Sequence, residues 1–304
     1  MAGAKISVVI CTHNPRQDYL ARTLDSLRMQ DLARSDWELV LIDNASENII
    51  GDEYFLAWHP NARIVRENKV GLVHARIRAF RETATPLIIF SDDDNVMKSD
   101  YLGAAWNIYN RFPQMGAYGA CINCEYEEPI QSPRDFIDVF SDPNGGRGTN
   151  WSNDMDHRSS TPIGAGLCVR REVANHYLVQ LTRSPEMLQL GRKGGRLLSY
   201  EDTDIVSSAC RLGFGKGIFS ELKIVHLISS NRTAPDYLLR LAEGHAYSEY
   251  LFGSKNGSSR FGEAGKFRKA INRLRLRGFR RQLYDAAEKG RKCAARDLAR
   301  GTPE

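Results

Sequence analysis

Long apolar runs are missing from this chain: no stretch of 18 apolar residues occurs in its 304 residues, so a transmembrane helix is excluded by length. The amino terminus enters an apolar strand pattern within a few residues, without the basic, apolar and small-residue succession of a secretion signal. Cysteine is sparse, with six residues at Cys11, Cys121, Cys124, Cys168, Cys210 and Cys293, mostly inside apolar patterns. Cys121 and Cys124 form a lone C-x-x-C with no second pair and no nearby pair of histidines. That argues against zinc and for buried thiols in a reducing cytosol. No G-x-x-x-x-G-K-[ST], no strand–G-x-G-x-x-G–helix unit and no G-x-S-x-G elbow occurs. Phosphate-loop kinase, dinucleotide dehydrogenase and serine hydrolase readings all weaken accordingly.

What is present is an ordinary globular composition, 42% hydrophobic and 26% charged, long enough to bury a sizeable core. The net charge of +5 hides an asymmetry. Residues 255–304 hold 15 Lys and Arg against 5 Asp and Glu, a net of +10, which leaves the body at −5. A mildly acidic body therefore carries a strongly basic tail.

The first half alternates strand and helix patterns. Strands are expected at Lys5–Ile10, Trp37–Ile42, Arg63–Arg66 and Pro86–Phe90. Helices are expected around Leu20, Leu24 and Leu27, over Leu72–Glu82 and over Tyr101–Tyr109. This order argues for an α/β fold whose mixed, mostly parallel sheet is flanked by helices, with ligands beyond the carboxyl ends of the strands. Thr12, Asp43 and Asp92 each follow such a strand, so three polar termini should gather on one edge. In the second half, Gly116–Asn123, Ile163–Val169 and Gly217–Leu227 read as strands. Arg170–Val179, Ser199–Leu212 and Pro235–Phe252 read as helices, and the polar stretch Ser141–Ser160 reads as a mobile lid.

The chemistry concentrates where Pro86–Phe90 runs into Asp92, Asp93 and Asp94. Three adjacent carboxylates repel one another, and a hard divalent cation with oxygen ligands is the usual compensation. Strand alternation points Asp92 and Asp94 to one side and Asp93 to the other, so Asp93 is the member least expected to touch an ion. The bland alternative is a solvated acidic turn. Glu201 and Asp202 open a helix, where the macrodipole keeps a carboxylate ionised and ready to accept a proton, or where the pair simply caps the helix. His226, in an apolar strand, is by default a satisfied core histidine, and a metal role gains weight only beside a real acid-bound ion.

Seven segments, in order, then resemble one family. They are Ile6-Ser-Val-Val-Ile-Cys-Thr-His-Asn14, Glu38-Leu-Val-Leu-Ile-Asp-Asn-Ala-Ser46, Asn68-Lys-Val-Gly-Leu-Val-His-Ala-Arg76 and Phe90-Ser-Asp-Asp-Asp94. Gly164-Ala-Gly-Leu-Cys-Val-Arg-Arg-Glu-Val173, Tyr200-Glu-Asp202 and Leu222-Lys-Ile-Val-His226 complete the series. Across residues 5–250 the chain resembles a family 2 glycosyltransferase of the GT-A fold, inverting and non-processive in type. The resemblance implies donor contacts at Thr12, Asn14, Asp43, Arg76, Asp92 and Asp93, with Asp43 accepting from the base. It implies Mn²⁺ or Mg²⁺ on Asp94, Asp92 and His226. Asp202 would be the general base, with Glu201 supporting the acceptor. One sugar would pass from a nucleoside-diphosphate donor, UDP- or dTDP-linked in preference to GDP-linked, to a hydroxyl acceptor such as a lipid-linked glycan, in glycan, polysaccharide or glycolipid biosynthesis. Cys11, His13, Ile77 and Ser91 depart from the family's common residues, which bears on donor identity. The Gln-x-x-Arg-Trp element of processive members is absent.

The expected organisation is a donor-binding half over residues 1–115, an acceptor-binding half over 116–252 and a basic helical extension over 253–304. In that extension Phe267, Ile271, Leu274 and Phe279 alternate with arginines and lysines. The pattern suits peripheral contact with an anionic membrane at the inner face of the cell membrane, or packing on the body or on a partner subunit in a homodimer. No motif in the body supports nucleic-acid binding. Two competing functions stay open: sugar nucleotidyl transfer, although residues 11–19 lack the glycines of an activation loop, and a non-catalytic sugar-nucleotide-binding module.

Overall fold

The protein is described by a computed structural model covering residues 3–50, 56–130, 140, 148–256 and 273–300. Strand β1 (Ile6–Thr12) is buried throughout and lies between β2 (Trp37–Asn44) and β4 (Leu87–Asp92), both parallel to it. Strand β3 (Ala62–Glu67) adds to the far side of β2. Buried on both faces, β1, β2 and β4 are continuous Val, Ile and Leu runs rather than alternating ones, as parallel strands covered by helices should be. Helices α1 (Gln17–Arg28), α2 (Leu72–Glu82) and α3 (Tyr101–Arg111) are the first-half crossovers. The expected alternation is therefore the observed one.

Beyond β4 the sheet changes direction. Its order is β3-β2-β1-β4-β8-β6-β9-β5, with a short β7 also on β9. Strand β6 (Met115–Tyr126) and β9 (Gly215–Ile228) are parallel, while β5 (Asn95–Met97), β7 (Asn150–Ser152) and β8 (Cys168–Arg170) join antiparallel. The strand expected at Ile163–Val169 is a correction: only Cys168–Arg170 pairs, because the chain turns at Gly164–Gly166, with Gly166 at φ 72°. The lid expected at Ser141–Ser160 falls partly outside the described residues, and its described part carries β7. Helices α4 (Arg171–Arg183), α5 (Glu201–Arg211) and α6 (Pro235–Lys255) complete the body.

Part of the basic tail forms helix α7 (Gly278–Ala299), which packs on α6. Leu283 and Ala294 are buried there, Tyr247 donates to Asp297 at 3.0 Å, and Lys289 meets Glu243 at 2.8 Å. Of the apolar residues singled out in the tail, Phe279 packs against this core and Leu274 is exposed, while Phe267 and Ile271 lie outside the described residues. The helices approach closely because Gly290 faces the carbonyl of Glu243, where any Cβ would collide. Gly290→Leu should therefore lower stability by about 1–3 kcal/mol through overpacking against backbone, read as a fall in urea midpoint. An unchanged midpoint would show that the two helices are not held at this distance. Among the described residues no helix is long and apolar enough to cross a membrane.

Candidate active site

Register brings the polar strand ends together. Cys11 lies opposite Asp92 and Thr12 opposite Asp43, so the carboxyl ends of β1, β2 and β4 share one edge. A cavity of about 880 Å³ opens over that edge, lined by Thr12, Arg76, Asp92, Asp93, Asp94, Glu201, Asp202 and His226. Eight of the expected site residues thus meet in one place. Asn14 and Asp43 do not line it. Asp43 is consumed by the protein: it ion-pairs with Arg66, its register partner on β3, and accepts from Ser46 N at 3.1 Å and Ile50 N at 3.2 Å. Asn44, next along, lines the cavity instead.

The acidic triplet departs from strand alternation because β4 ends at Asp92 and the chain turns. All three side chains reach the cavity wall, and Asp93, expected to point away, hydrogen-bonds to Thr12 Oγ1. Asn95 on β5 pairs with His226 on β9, which sets Asp94 beside that histidine. Asp94 Oδ2 lies 3.3 Å from His226 Nε2 and accepts from Arg232 Nη1 at 2.6 Å. Arg232 Nη1 also lies 3.2 Å from His226 Nε2. The other ring nitrogen, Nδ1, donates to the Phe140 carbonyl at 3.0 Å, which leaves Nε2 as the nitrogen turned toward Asp94 and Arg232.

Electrostatics divides the triplet. Burial raises the Asp94 carboxyl, but His226 and Arg232 outweigh it and hold the group below its ordinary value. Asp93 is pushed up to about 7 by burial and by the charge of Asp94, against the opposing bond from Thr12. Asp92 is also raised, by burial first and then by Asp94. Cys11 beneath them is pushed up to about 12 by burial, so no thiolate nucleophile stands there.

The start of α5 builds another part of the wall. Tyr200, its N-cap, sits at φ 73°, an uncommon conformation for a bulky residue, and this turns Glu201 and Asp202 into the cavity. Asp202 Oδ2 accepts from Gly164 N at 2.8 Å and Oδ1 from Thr203 N at 2.7 Å. Oδ1 also accepts from Thr203 Oγ1 at 3.4 Å, so Oδ2 is the oxygen that keeps lone-pair capacity for an incoming hydroxyl. Glu201 is buried and pairs with Arg76 at 3.6 Å. Burial and the neighbouring Asp202 push Glu201 up to about 7, with Arg76 pulling the other way. Arg76 itself is only 1% exposed and lies over the Phe90 ring, and a Cβ at Gly164 would collide with its Nη2. It is a buried counter-ion between Asp92 and Glu201 more than an open ligand.

Among the described residues no group of three or more His, Cys, Asp and Glu is arranged to hold a metal ion. Of the expected ligands Asp94, Asp92 and His226, all three line the cavity, and Asp94 and His226 are the pair that touch each other. That pair still fits a hard divalent cation. A carboxylate oxygen and an imidazole nitrogen converge on one point where a guanidinium already stands as a cation.

Sequence reasoning missed Arg232, Arg158, Arg192 and His245, all of which line the cavity. Arg158 reaches Glu249 at 2.8 Å, and His245 Nδ1 lies 3.1 Å from Ser199 Oγ. Only their place after recognised strands or on the α6 face could have flagged them.

The family profile described as Glycosyl transferase family 2 matches residues 7–178. No curated protein matches the chain. Among solved structures, the mannosyltransferase PcManGT from Pyrobaculum calidifontis in complex with GDP-Man and Mn²⁺ is similar with a TM-score of 0.54 and 20% identity, over 99% of this chain and 75% of that one. S. aureus TarS gives 0.52 and 14%, over 90% of this chain and 46% of that one, so this chain spans less than half of its length. S. aureus TarS 1-349 in complex with UDP gives 0.52 and 12%, over 98% and 92%. At these identities the likeness concerns the fold, which is the GT-A nucleotide-sugar transferase fold.

Proposed function

The chain belongs to glycosyl transferase family 2, and from that premise we propose that it is an inverting, metal-dependent enzyme moving one sugar from a nucleoside-diphosphate donor to a hydroxyl acceptor. One observation carries the reading: the Asp92–Asp94 triplet and Asp202 line a single cavity. Asp202 accepts the proton of the acceptor hydroxyl as that oxygen attacks the anomeric carbon. The bond to the nucleoside diphosphate breaks on the opposite face, which inverts the centre. Asp94 and His226 are the groups that would hold a divalent cation, which when bound supplies positive charge to the departing diphosphate. Arg76 keeps Glu201 and Asp92 paired to buried positive charge, and Thr12 with Asp93 fixes the wall beside the donor.

The donor half is residues 1–115 and the acceptor half 116–252, in one domain with a continuous sheet. The GDP-Man and Mn²⁺ in one neighbour and UDP in another support a nucleotide-linked donor and a divalent cation. With both bases represented, the preference for uracil or thymine over guanine rests on the sequence resemblance alone. Absence of Gln-x-x-Arg-Trp supports one transfer per encounter. The test is turnover of a panel of UDP-, dTDP- and GDP-sugars with Mn²⁺, with and without EDTA, and the anomeric configuration of the product read by NMR. Turnover that survives EDTA would overturn the metal assignment, and a retained anomer would overturn the mechanism.

A further inference from the structure

At the candidate cation position the protein already supplies a cation of its own. Arg232 lies on the short turn Ser230–Thr233 between β9 and α6, with its side chain one-fifth exposed. Its Nη1 lies 2.6 Å from Asp94 Oδ2 and 3.2 Å from His226 Nε2, and the guanidinium stacks 4.8 Å from the centre of the Phe140 ring. The carbonyl of that same Phe140 takes the His226 Nδ1 proton. Imidazole, carboxylate and guanidinium are therefore locked as one unit. Arg232 Nε is buried without a partner among the described residues.

A divalent ion bound by Asp94 and His226 would sit at about 2.0–2.2 Å from the two atoms that Nη1 now contacts. Two cations so close, in a partly desolvated site, repel strongly. Arg232 must leave Asp94 when a metal arrives. Its backbone turn stays fixed, so the released guanidinium remains inside the cavity, where a lone charge without a counter-ion is costly. A nucleoside diphosphate bound in the same cavity supplies that counter-ion.

Building on the proposed function, we propose that Arg232 is an internal counter-ion exchanged on substrate binding, so that divalent metal and nucleoside diphosphate bind together rather than independently. Metal alone binds weakly because it displaces a paired guanidinium with nowhere to go. The diphosphate alone meets an acidic triplet whose neighbouring guanidiniums, Arg232 on Asp94 and Arg76 on Glu201, are already engaged. Together they exchange partners, and by linkage each raises the affinity of the other by the same factor. Direct metal–phosphate contact also couples the two, but it makes no prediction that losing Arg232 helps the metal bind alone.

The test is Mn²⁺ affinity of the full chain, by the free-ion EPR signal, with and without saturating UDP or GDP. For Arg232→Gln, and for Arg232→Met which keeps apolar packing over Phe140, Mn²⁺ alone should bind about tenfold tighter than to the native chain. The enhancement by nucleotide should shrink by a similar factor. Unchanged or weaker binding of Mn²⁺ alone in both variants, or an undiminished enhancement, would overturn the exchange while leaving the proposed function standing. Failure of the native chain to bind Mn²⁺ even with either nucleotide would overturn both.

Discussion

Asp202→Asn is expected to lower kcat by about 10²–10⁴-fold, the range for loss of a positioned general base, while nucleotide affinity stays within a factor of about three. The asymmetry follows from the site. Asp202 lies on the α5 wall, tied to Gly164 N at 2.8 Å and Thr203 N at 2.7 Å, on a different element from the Asp92–Asp94 triplet at the end of β4. An amide keeps the shape of the carboxylate but cannot take a proton, and its NH₂ must face one of those two backbone donors. Both effects fall on the acceptor side. Single-turnover rates and calorimetric titration with UDP or GDP separate them, and a kcat within threefold of the native value would remove Asp202 from the mechanism.

Arg76→Met should change stability in a strongly pH-dependent way: a loss of about 3 kcal/mol or more at pH 8, the scale for a buried charge left without its partner, and little loss at pH 5. Arg76 touches Glu201 at 3.6 Å, but its Nε and Nη1 have no hydrogen-bond partner among the described residues, so its own burial is costly. Glu201 is pushed up to about 7 by burial and by Asp202 even with Arg76 in place. A folded-state value raised above the ordinary 4.5 means that the native state binds the extra proton. The stability it contributes is full below about 4.5 and declines as pH rises through 7. Without the guanidinium the decline should extend further and steepen. At pH 5, with Glu201 protonated in the folded protein, removal of a poorly satisfied buried arginine is nearly neutral. Urea midpoints of both proteins at pH 5 and 8 measure this, and a pH-independent difference would show that Arg76 acts by packing alone.

The sheet was legible wherever strands are buried on both faces. Val8, Ile10, Leu39, Leu41, Ile88 and Ile89 announce β1, β2 and β4 because parallel strands under helices are continuously apolar. Three-residue strands such as β5 and β7 carry too little pattern to read. The turn at Gly164–Gly166 looked like strand because its apolar neighbours Ile163, Ala165 and Leu167 alternate with glycine. In the site, acids at strand ends were readable from local order alone. The engagement of Asp43 was not, since it depends on Arg66 lying opposite across the β2–β3 ladder. Arg232 was illegible for a related reason: only the pairing of Asn95 with His226 brings the turn after β9 onto Asp94. Of the apolar tail residues singled out in the sequence only Phe279 lies on α7, and the docking of that helix on α6 depends on Gly290 meeting the backbone of Glu243.

Helix α6 has two audiences. It turns Tyr237, Leu241, His245 and Phe252 toward the cavity, while Glu243 and Tyr247 meet α7. Gly244 on the same helix rests against the Leu197 carbonyl in the segment leading to Tyr200 and Glu201. The wall that carries Glu201 and Asp202 is thus mounted on a strut that the carboxy-terminal helix braces from behind, and the same brace reaches Phe140, the partner of His226, which packs in one cluster with Leu241 and Leu283. Sequence drift in the tail has a route to the cavity wall through α6, by way of residues that do not themselves line the cavity.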